Sequence, residues 1–124
     1  MKPVAIELAT PEDLNYITST WMRSYQSSAV GHALGPSAYA TWRIVIGACI
    51  EHGATFVARP LDDVADTILG WACTEGGTLH YAFVRPAFRS LGIATQLLAR
   101  HVLETKTHAM QGKFDALRYV SYRP

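Results

Sequence analysis

The sequence has little charge of either sign. Charged residues make up 17% of the chain, and the formal net charge is +1. A protein that binds nucleic acid needs a clearly basic face, so this balance argues against nucleic acid as a partner. The hydrophobic content of 49% excludes the disordered class of protein.

The sequence also lacks any apolar run that approaches a membrane span. Its first residues, MKPVAIELATPED, lack the pattern of a signal peptide. We therefore expect a cytoplasmic protein with no membrane partner. Cysteine is scarce, and Cys49 and Cys73 lie in apolar segments without CxxC spacing. They are interpreted as buried reduced thiols, with a disulfide or a nucleophile as the alternative.

Metal-ligand spacing is absent among the histidines, so we expect no metal. One histidine, His80, is considered below as a catalytic residue. The others are expected at the surface, and they are His32, His52, His101 and His108.

Periodicity predicts a single domain over residues 1–124 with alternating elements. It begins with a strand over Val4–Leu8 and a helix that starts near Thr10–Asp13. The rest follow in chain order: a loop over 27–35, a helix over 36–52, strands over 54–58, 67–74 and 78–84, a helix over about 92–104, and a strand over 116–122. The order β-α-α-β-β-β-α-β predicts an α/β (α+β) fold whose mixed sheet holds a hairpin and one parallel pair.

The stretch FVRPAFRSLGIA stands between the strand over 78–84 and the next helix. Pro86 ends the strand because it lacks a backbone donor. The turn that follows has N–H groups without helical partners, and Gly92 lets a ligand approach them closely. Arg85 and Arg89 add positive charge at the start of the helix. This pattern indicates a phosphate or pyrophosphate site, and a plain strand–turn–helix packed through a glycine is the alternative.

The same stretch resembles the acetyl-CoA motif of the GCN5-related N-acetyltransferase (GNAT) superfamily. That motif reads Val, any residue, Pro, two residues, Arg or Gln, two residues, Gly, any residue, Gly or Ala. Its positions are occupied by Val84, Pro86, Arg89, Gly92 and Ala94. The predicted element order also matches the family from its first strand to its fifth. The resemblance implies the GNAT-like acyl-CoA N-acyltransferase fold, without the family's usual last helix and two strands.

The resemblance further implies acetyl-CoA as co-substrate. The backbone of Ala82, Phe83 and Val84 would pair with the pantetheine arm. The pyrophosphate would lie on the turn formed by Arg89, Ser90, Leu91, Gly92, Ile93, Ala94 and Thr95. The strand over 116–122 would splay away from the strand over 78–84 and admit the cofactor. An amine of unknown identity would attack the thioester directly, and a backbone N–H near Val84 would stabilise the oxyanion.

His80 is the best candidate for the general base that accepts the amine proton. Its stretch, LHYAFVRPAFRSLG, is similar to the segment of family members in which histidines on this strand carry the proton away. Thr78 stands where the second histidine of that pair would be. The alternative for His80 is a partly buried strand histidine with a satisfied hydrogen bond, and Glu75 is a weaker candidate base.

The general acid for the departing thiolate is harder to assign. In many family members it is a tyrosine on the helix after the fifth strand, and the chain ends at Pro124 before that helix. Tyr119 and Tyr122 are the candidate substitutes, with packing in the sheet as the alternative role. A partner subunit or solvent is the other possible proton source. The early end would leave the last strand as an open edge, which predicts a homodimer through that strand.

The acceptor is expected near the two N-terminal helices, where the aromatic residues either line a pocket or form core: Trp21, Tyr25, Tyr39 and Trp42. Two functions follow. The first is an acetyl-CoA-dependent N-acetyltransferase acting on a primary amine. The alternative is a catalytically inactive GNAT-fold module with a structural or protein-interaction role. The brevity of the chain suggests a small genome, such as that of a phage.

Overall fold

The computed structural model describes residues 2–62, 67–108, 114 and 116–122. The helices within these ranges are α1 (Leu14–Gln26), α2 (Ala29–Leu34), α3 (Tyr39–His52) and α4 (Ile93–Leu98). The strands are β1 (Val4–Leu8), β2 (Ala54–Pro60), β3 (Gly70–Glu75), β4 (Thr78–Val84), β5 (Thr105–Lys106) and β6 (Arg118–Tyr119). The predicted mixed α/β class is therefore confirmed.

The six strands form one sheet in the order β1-β2-β3-β4-β5-β6. The pairs from β1 to β4 are antiparallel, and the expected hairpin joins β3 to β4. Both pairs at the far edge, β4–β5 and β5–β6, are parallel. The parallel neighbour of β4 is thus Thr105–Lys106, and the prediction of 116–122 for that role was wrong. Of that segment, only Arg118–Tyr119 forms a strand, one position further out.

The helix predicted over about 92–104 ends at Leu98 instead. Val102, which the prediction placed in this helix, lies beyond its end and is 83% exposed. The N–H groups of Glu104 and Thr105 donate to the carbonyl of Gly77 at 2.8 and 3.2 Å. These bonds bring the chain back to the sheet beside the β3–β4 turn, and β5 begins there.

The loop predicted over 27–35 contains the short helix α2. The Ser28 hydroxyl accepts a hydrogen bond from the N–H of Gly31 at 3.0 Å, as an N-cap residue does. Gly31 is buried against α1, where a Cβ would overlap the carbonyl oxygen of Tyr25. The Ser28 cap and the close packing that Gly31 allows therefore stabilise a helix where composition predicted a loop.

Two apolar clusters cover the two faces of the sheet, as the alternation along β3 and β4 requires. On one face α1 and α3 pack on Trp71 and Cys73, and on the other α4 packs on Ala72. Both cysteines are buried and free, as predicted. Burial raises the pKa of Cys49 to about 12 and that of Cys73 to about 11, so neither is a ready nucleophile.

None of the helices in the described ranges has the length and apolar character needed to cross a membrane.

Candidate functional site

The parallel pairing of β4 with β5 is short. It joins Thr78 to Thr105 and Leu79 to Lys106, and the N–H of Thr107 donates to the carbonyl of Leu79 at 3.1 Å. Beyond this point the two strands separate. Within the described residues, the outer edge of β4 from Tyr81 to Val84 therefore has no strand beside it.

The turn that follows β4 has an unusual backbone. Ser90 has φ +65° and Gly92 has φ +78°, which is the left-handed region that non-glycine residues rarely adopt. No hydrogen bond between described residues uses the N–H groups of Ser90, Leu91 and Gly92. Successive N–H groups in such a turn form a concavity that suits an anion. Because α4 has only six residues, these N–H groups, which the prediction also named, are the feature of the turn that suits an anion.

The β4 edge and this turn enclose a groove of about 590 Å³, the cofactor groove. It is lined by Tyr81, Ala82, Phe83, Val84, Phe88, Arg89, Ser90, Gly92, Ile93, Ala94, Thr95 and Phe114. Every residue that was predicted to bind the cofactor, except Leu91, lines this groove. The carbonyl of Leu91 instead accepts a hydrogen bond from the N–H of Lys2 at 2.8 Å.

The two arginines of the turn have different surroundings. Arg89 lines the groove, and its Nε donates to the carbonyl of Val84 at 3.0 Å. Arg85 points elsewhere: its guanidinium lies 4.6 Å from the ring centroid of Tyr16, and its Nε bonds the carbonyl of Ile68. Among the described residues that line the groove, Arg89 alone carries a positive charge; Arg85, which was expected to add charge there, does not line it.

His80 occupies an irregularity in the sheet. Cys73 pairs with Tyr81 and Thr74 pairs with Leu79, so His80 is the extra residue of a β-bulge. Its side chain is 2% exposed. Nδ1 lies 2.7 Å from Thr107 Oγ1, and Nε2 lies 2.9 Å from Glu75 Oε1.

Both ring nitrogens of His80 are thus engaged by protein groups. The residue lines neither the cofactor groove nor the aromatic cavity described next, but an outer pocket of about 280 Å³ that it shares with Glu75. The sequence singled out both of these residues as candidate bases, and the structure hydrogen-bonds them to each other.

A second large cavity, the aromatic cavity, lies between the N-terminal helices and the splayed edge and has about 540 Å³. It is lined by Ser24, Tyr25, Ser28, Val30, Trp42, Val45, Tyr81, Thr107, His108, Tyr119, Ser121 and Tyr122. Tyr25 and Trp42 stack with ring centroids 4.7 Å apart. Of the four aromatic residues considered for the acceptor, these two line the cavity. Trp21 is fully buried core, and Tyr39 packs behind Trp42.

Tyr119 and Tyr122, the candidate acids, both border the aromatic cavity and not the cofactor groove. The Tyr122 ring meets that of His80 edge-on at 5.2 Å. Burial, with smaller contributions from nearby thiols and carboxyl groups, raises the pKa of the Tyr122 hydroxyl. Between β5 and β6 the sequence has no tyrosine, so these two remain the candidates.

His108 was expected at the surface, and this was wrong. It is 8% exposed, and its ring contacts those of Trp21, Tyr25 and Tyr81 at centroid distances of 5.3, 5.5 and 6.1 Å. Nδ1 lies 2.9 Å from Thr107 Oγ1. Sequence reasoning missed it because β5 was predicted too late. Had the strand been placed at 105–106, its parallel register would have set His108 level with Tyr81, at the point of separation.

No protein-family model matches the chain, and no curated protein sequence matches it. Solved structures do. A GCN5-related N-acetyltransferase from Rhodopseudomonas palustris matches with a TM-score of 0.58 and 18% identity, over 80% of this chain and 63% of that one. YncA, a putative acetyltransferase from Salmonella typhimurium solved with its cofactor acetyl-CoA, matches with a TM-score of 0.50 and 16% identity, over 80% of this chain and 61% of that one.

AAC(6')-Iy, solved with the bisubstrate analogue CoA-S-monomethyl-acetylneamine, matches with a TM-score of 0.56 and 15% identity over 99% of each chain. At these identities the likeness establishes the fold. The chain has the GNAT fold, and the resemblance seen in the sequence is confirmed at that level. The chain spans less than two thirds of the first two structures named.

Proposed function

We propose that this protein is an acetyl-CoA-dependent N-acetyltransferase that transfers the acetyl group to a primary amine by direct attack. The observation that carries the proposal is the pair of cavities on the splayed sheet. The cofactor groove and the aromatic cavity meet at Tyr81, which lines both. A cofactor in one cavity and an acceptor in the other would bring thioester and amine together beside β4.

In this proposal the pantetheine arm pairs with the open edge of β4 over Ala82–Val84, as an added strand would. The pyrophosphate lies on the N–H groups of the Ser90–Gly92 turn, with Arg89 as its cationic partner. Structural neighbours that hold acetyl-CoA or a CoA-linked analogue support this assignment. Tyr119 and Tyr122 remain the candidate acids for the CoA thiolate, and no metal takes part.

The experiment is a calorimetric titration of acetyl-CoA into the wild-type protein and an Arg89→Glu, Gly92→Glu double variant. We expect micromolar binding in the wild type and affinity at least about 100-fold lower in the double variant, because it loses charge-assisted hydrogen bonds and gains repulsion. Arg100→Glu is the matched control, since it makes the same charge reversal at an arginine that lines a different pocket. Absence of binding to the folded wild type would overturn the proposal and leave the inactive module.

The acceptor is proposed to be a monoamine with a flat, apolar body. The described residues that line the aromatic cavity include Tyr25, Trp42 and Tyr81 and no aspartate or glutamate. Aromatic walls favour a planar apolar group, whereas a polycation would require carboxylates to balance its charge. We expect acetyl transfer to 2-phenylethylamine, followed as release of the CoA thiol, to exceed transfer to neamine or spermine. A preference for either polyamine would contradict this choice.

The homodimer also stays a prediction. Among the described strands β6 is outermost, with both of its residues exposed, and an open edge of this kind favours pairing with another chain. Mass measurement in solution checks it, and a monomer at high concentration would contradict it.

A further inference from the structure

A continuous chain of hydrogen bonds runs from the aromatic cavity to the outer pocket. His108 Nδ1 lies 2.9 Å from Thr107 Oγ1, and that oxygen lies 2.7 Å from His80 Nδ1. His80 Nε2 lies 2.9 Å from Glu75 Oε1. Thr107, His80 and His108 are buried, and Glu75, with a side chain 44% exposed, reaches solvent. These hydrogen bonds therefore connect the aromatic cavity with a solvent-exposed carboxyl group.

The position of each hydrogen in this series of hydrogen bonds follows from its exposed end, the Glu75 carboxylate. A carboxylate at Glu75 can only accept, so a neutral His80 carries its hydrogen on Nε2 and accepts at Nδ1. The Thr107 hydroxyl then donates to His80, and its lone pair accepts from Nδ1–H of His108. In that tautomer Nε2 of His108 is the basic nitrogen. All the donors point from the cavity toward Glu75.

We propose that His108 accepts the proton of the attacking amine, and that Thr107, His80 and Glu75 carry it to solvent. This inference rests on the proposed function, which supplies the amine and the thioester. His108 is then the catalytic base, because it borders the cavity assigned to the acceptor. His80, the base predicted from the sequence, becomes a relay residue that acts through Thr107.

The chemical step balances as follows. The amine lone pair forms a C–N bond to the acetyl carbon, and the C–S bond then breaks with its electron pair on sulfur. The nitrogen gives up one proton to Nε2 of His108. His108 passes its Nδ1 hydrogen to Thr107, the hydroxyl passes its own to Nδ1 of His80, and Nε2–H of His80 goes to Glu75 and water. The CoA thiolate takes its proton from a tyrosine of the cavity or from solvent.

The environment keeps His108 neutral at pH 7 and disfavours its protonated form, so the Nδ1 hydrogen must leave as Nε2 gains the proton of the amine. Burial and the nearby His80 lower its pKa to about 4, against the opposing effect of a hydrogen bond to the His80 backbone. Among the described residues, the titratable groups that face its ring or border its cavity are Tyr25 on α1, Tyr81 and His80 on β4, and the two tyrosines of the C-terminal segment, Tyr119 and Tyr122. None of these adds a carboxylate that would hold His108 protonated.

The test compares His108→Gln, Thr107→Val and Thr107→Ser with wild type, using acetyl-CoA and 2-phenylethylamine. We expect His108→Gln to lower kcat/KM by about 100-fold, the scale of general base catalysis. Thr107→Val should lower kcat by roughly tenfold, because it removes the hydroxyl that joins the histidines. Thr107→Ser keeps the hydroxyl and should restore the rate. Acetyl-CoA affinity should be unchanged in all three variants, since neither residue lines the cofactor groove.

A second readout does not depend on turnover. Nitrogen-15 NMR of the imidazoles should show His108 with its hydrogen on Nδ1, and a changed tautomer balance at His80 in Thr107→Val. Wild-type turnover in both His108→Gln and Thr107→Val would overturn the relay while leaving the acetyltransferase. Failure of acetyl-CoA to bind would overturn the acetyltransferase and the relay with it. If acetyl-CoA binds but this amine is not acetylated, a hydrogen on Nε2 of His108 would overturn the relay.

Discussion

The cofactor groove and the aromatic cavity lie on either side of Tyr81 but are built in different ways. Apart from Phe114, the residues of the groove fall within one contiguous segment, from Tyr81 to Thr95. The cavity takes its walls from α1, α2, α3, β4, the end of β5 and the C-terminal segment. The groove depends mainly on the local conformation of one strand–turn segment. The cavity, in contrast, forms only when elements distant in the sequence pack together. Substitutions in the core should therefore affect the cavity more than the groove.

The largest expected effect comes from Trp21→Ala. Trp21 is fully buried beneath the aromatic cavity, with ring centroids 5.2 Å from Trp71 and 5.6 Å from Tyr81. Removing it should lower the free energy of unfolding by about 3–5 kcal/mol. Urea unfolding followed by circular dichroism measures this. Val102→Ala, at an exposed position, is the control and should change stability by less than about 0.5 kcal/mol. Equal losses in the two variants would contradict the packing described.

The next effect is a pH dependence of stability that arises from His108. The unfolded chain takes up a proton on this histidine below its ordinary pKa of 6.5, whereas the folded protein does so only below about 4. Because the unfolded state binds more protons in this window, stability is full above pH 6.5 and falls as the pH drops toward 4. The fall should reach about 3 kcal/mol.

His108→Gln should remove this fall, since glutamine does not titrate. The measurement is urea unfolding of wild type and variant at a series of pH values from 4 to 8. Curves with the same slope in both proteins would mean that His108 is not the group responsible.

A smaller effect is expected for Gly31→Ala, which separates the two sites most cleanly. A Cβ here would overlap the carbonyl oxygen of Tyr25, so α2 would move away from α1 at a cost of about 2 kcal/mol. Binding of 2-phenylethylamine should weaken, and acetyl-CoA affinity should hold. Gly47→Ala is the matched control, because no atom lies within 4 Å of its added Cβ. Loss of acetyl-CoA binding in Gly31→Ala would show that the two sites are not independent.

The smallest effect tests the groove itself. Ser90 adopts φ +65°, a conformation that costs a non-glycine residue about 1 kcal/mol. Ser90→Gly should raise the free energy of unfolding by about that amount and keep acetyl-CoA affinity, because the proposed contact is the backbone N–H. Ser90→Ala, which keeps the strain, should gain nothing. A loss of affinity in Ser90→Gly alone would assign the contact to the hydroxyl group.

The elements that the sequence predicted well are those whose own residues show a clear hydrophobic pattern. The hairpin of β3 and β4 came from a Gly-Gly turn between two apolar runs, and α3 came from apolar residues at helical spacing. The two-residue strand β5 has no such pattern. It forms because Glu104 and Thr105 bond the Gly77 carbonyl, a contact between residues far apart in the chain. Every error at the C-terminal edge, including the position of His108, follows from that one contact.

The sequence by itself predicted the mixed α/β class, the hairpin and the segment that forms the cofactor groove, because these depend on residues adjacent along the chain, and its motif resembled that of the GNAT family. Only the tertiary structure decided which histidine borders the aromatic cavity and which one is sealed behind it. The β-bulge at His80 and the register of β5 set those positions. A β-bulge and a parallel register are properties of a pair of strands. The sequence of one strand alone therefore does not specify them.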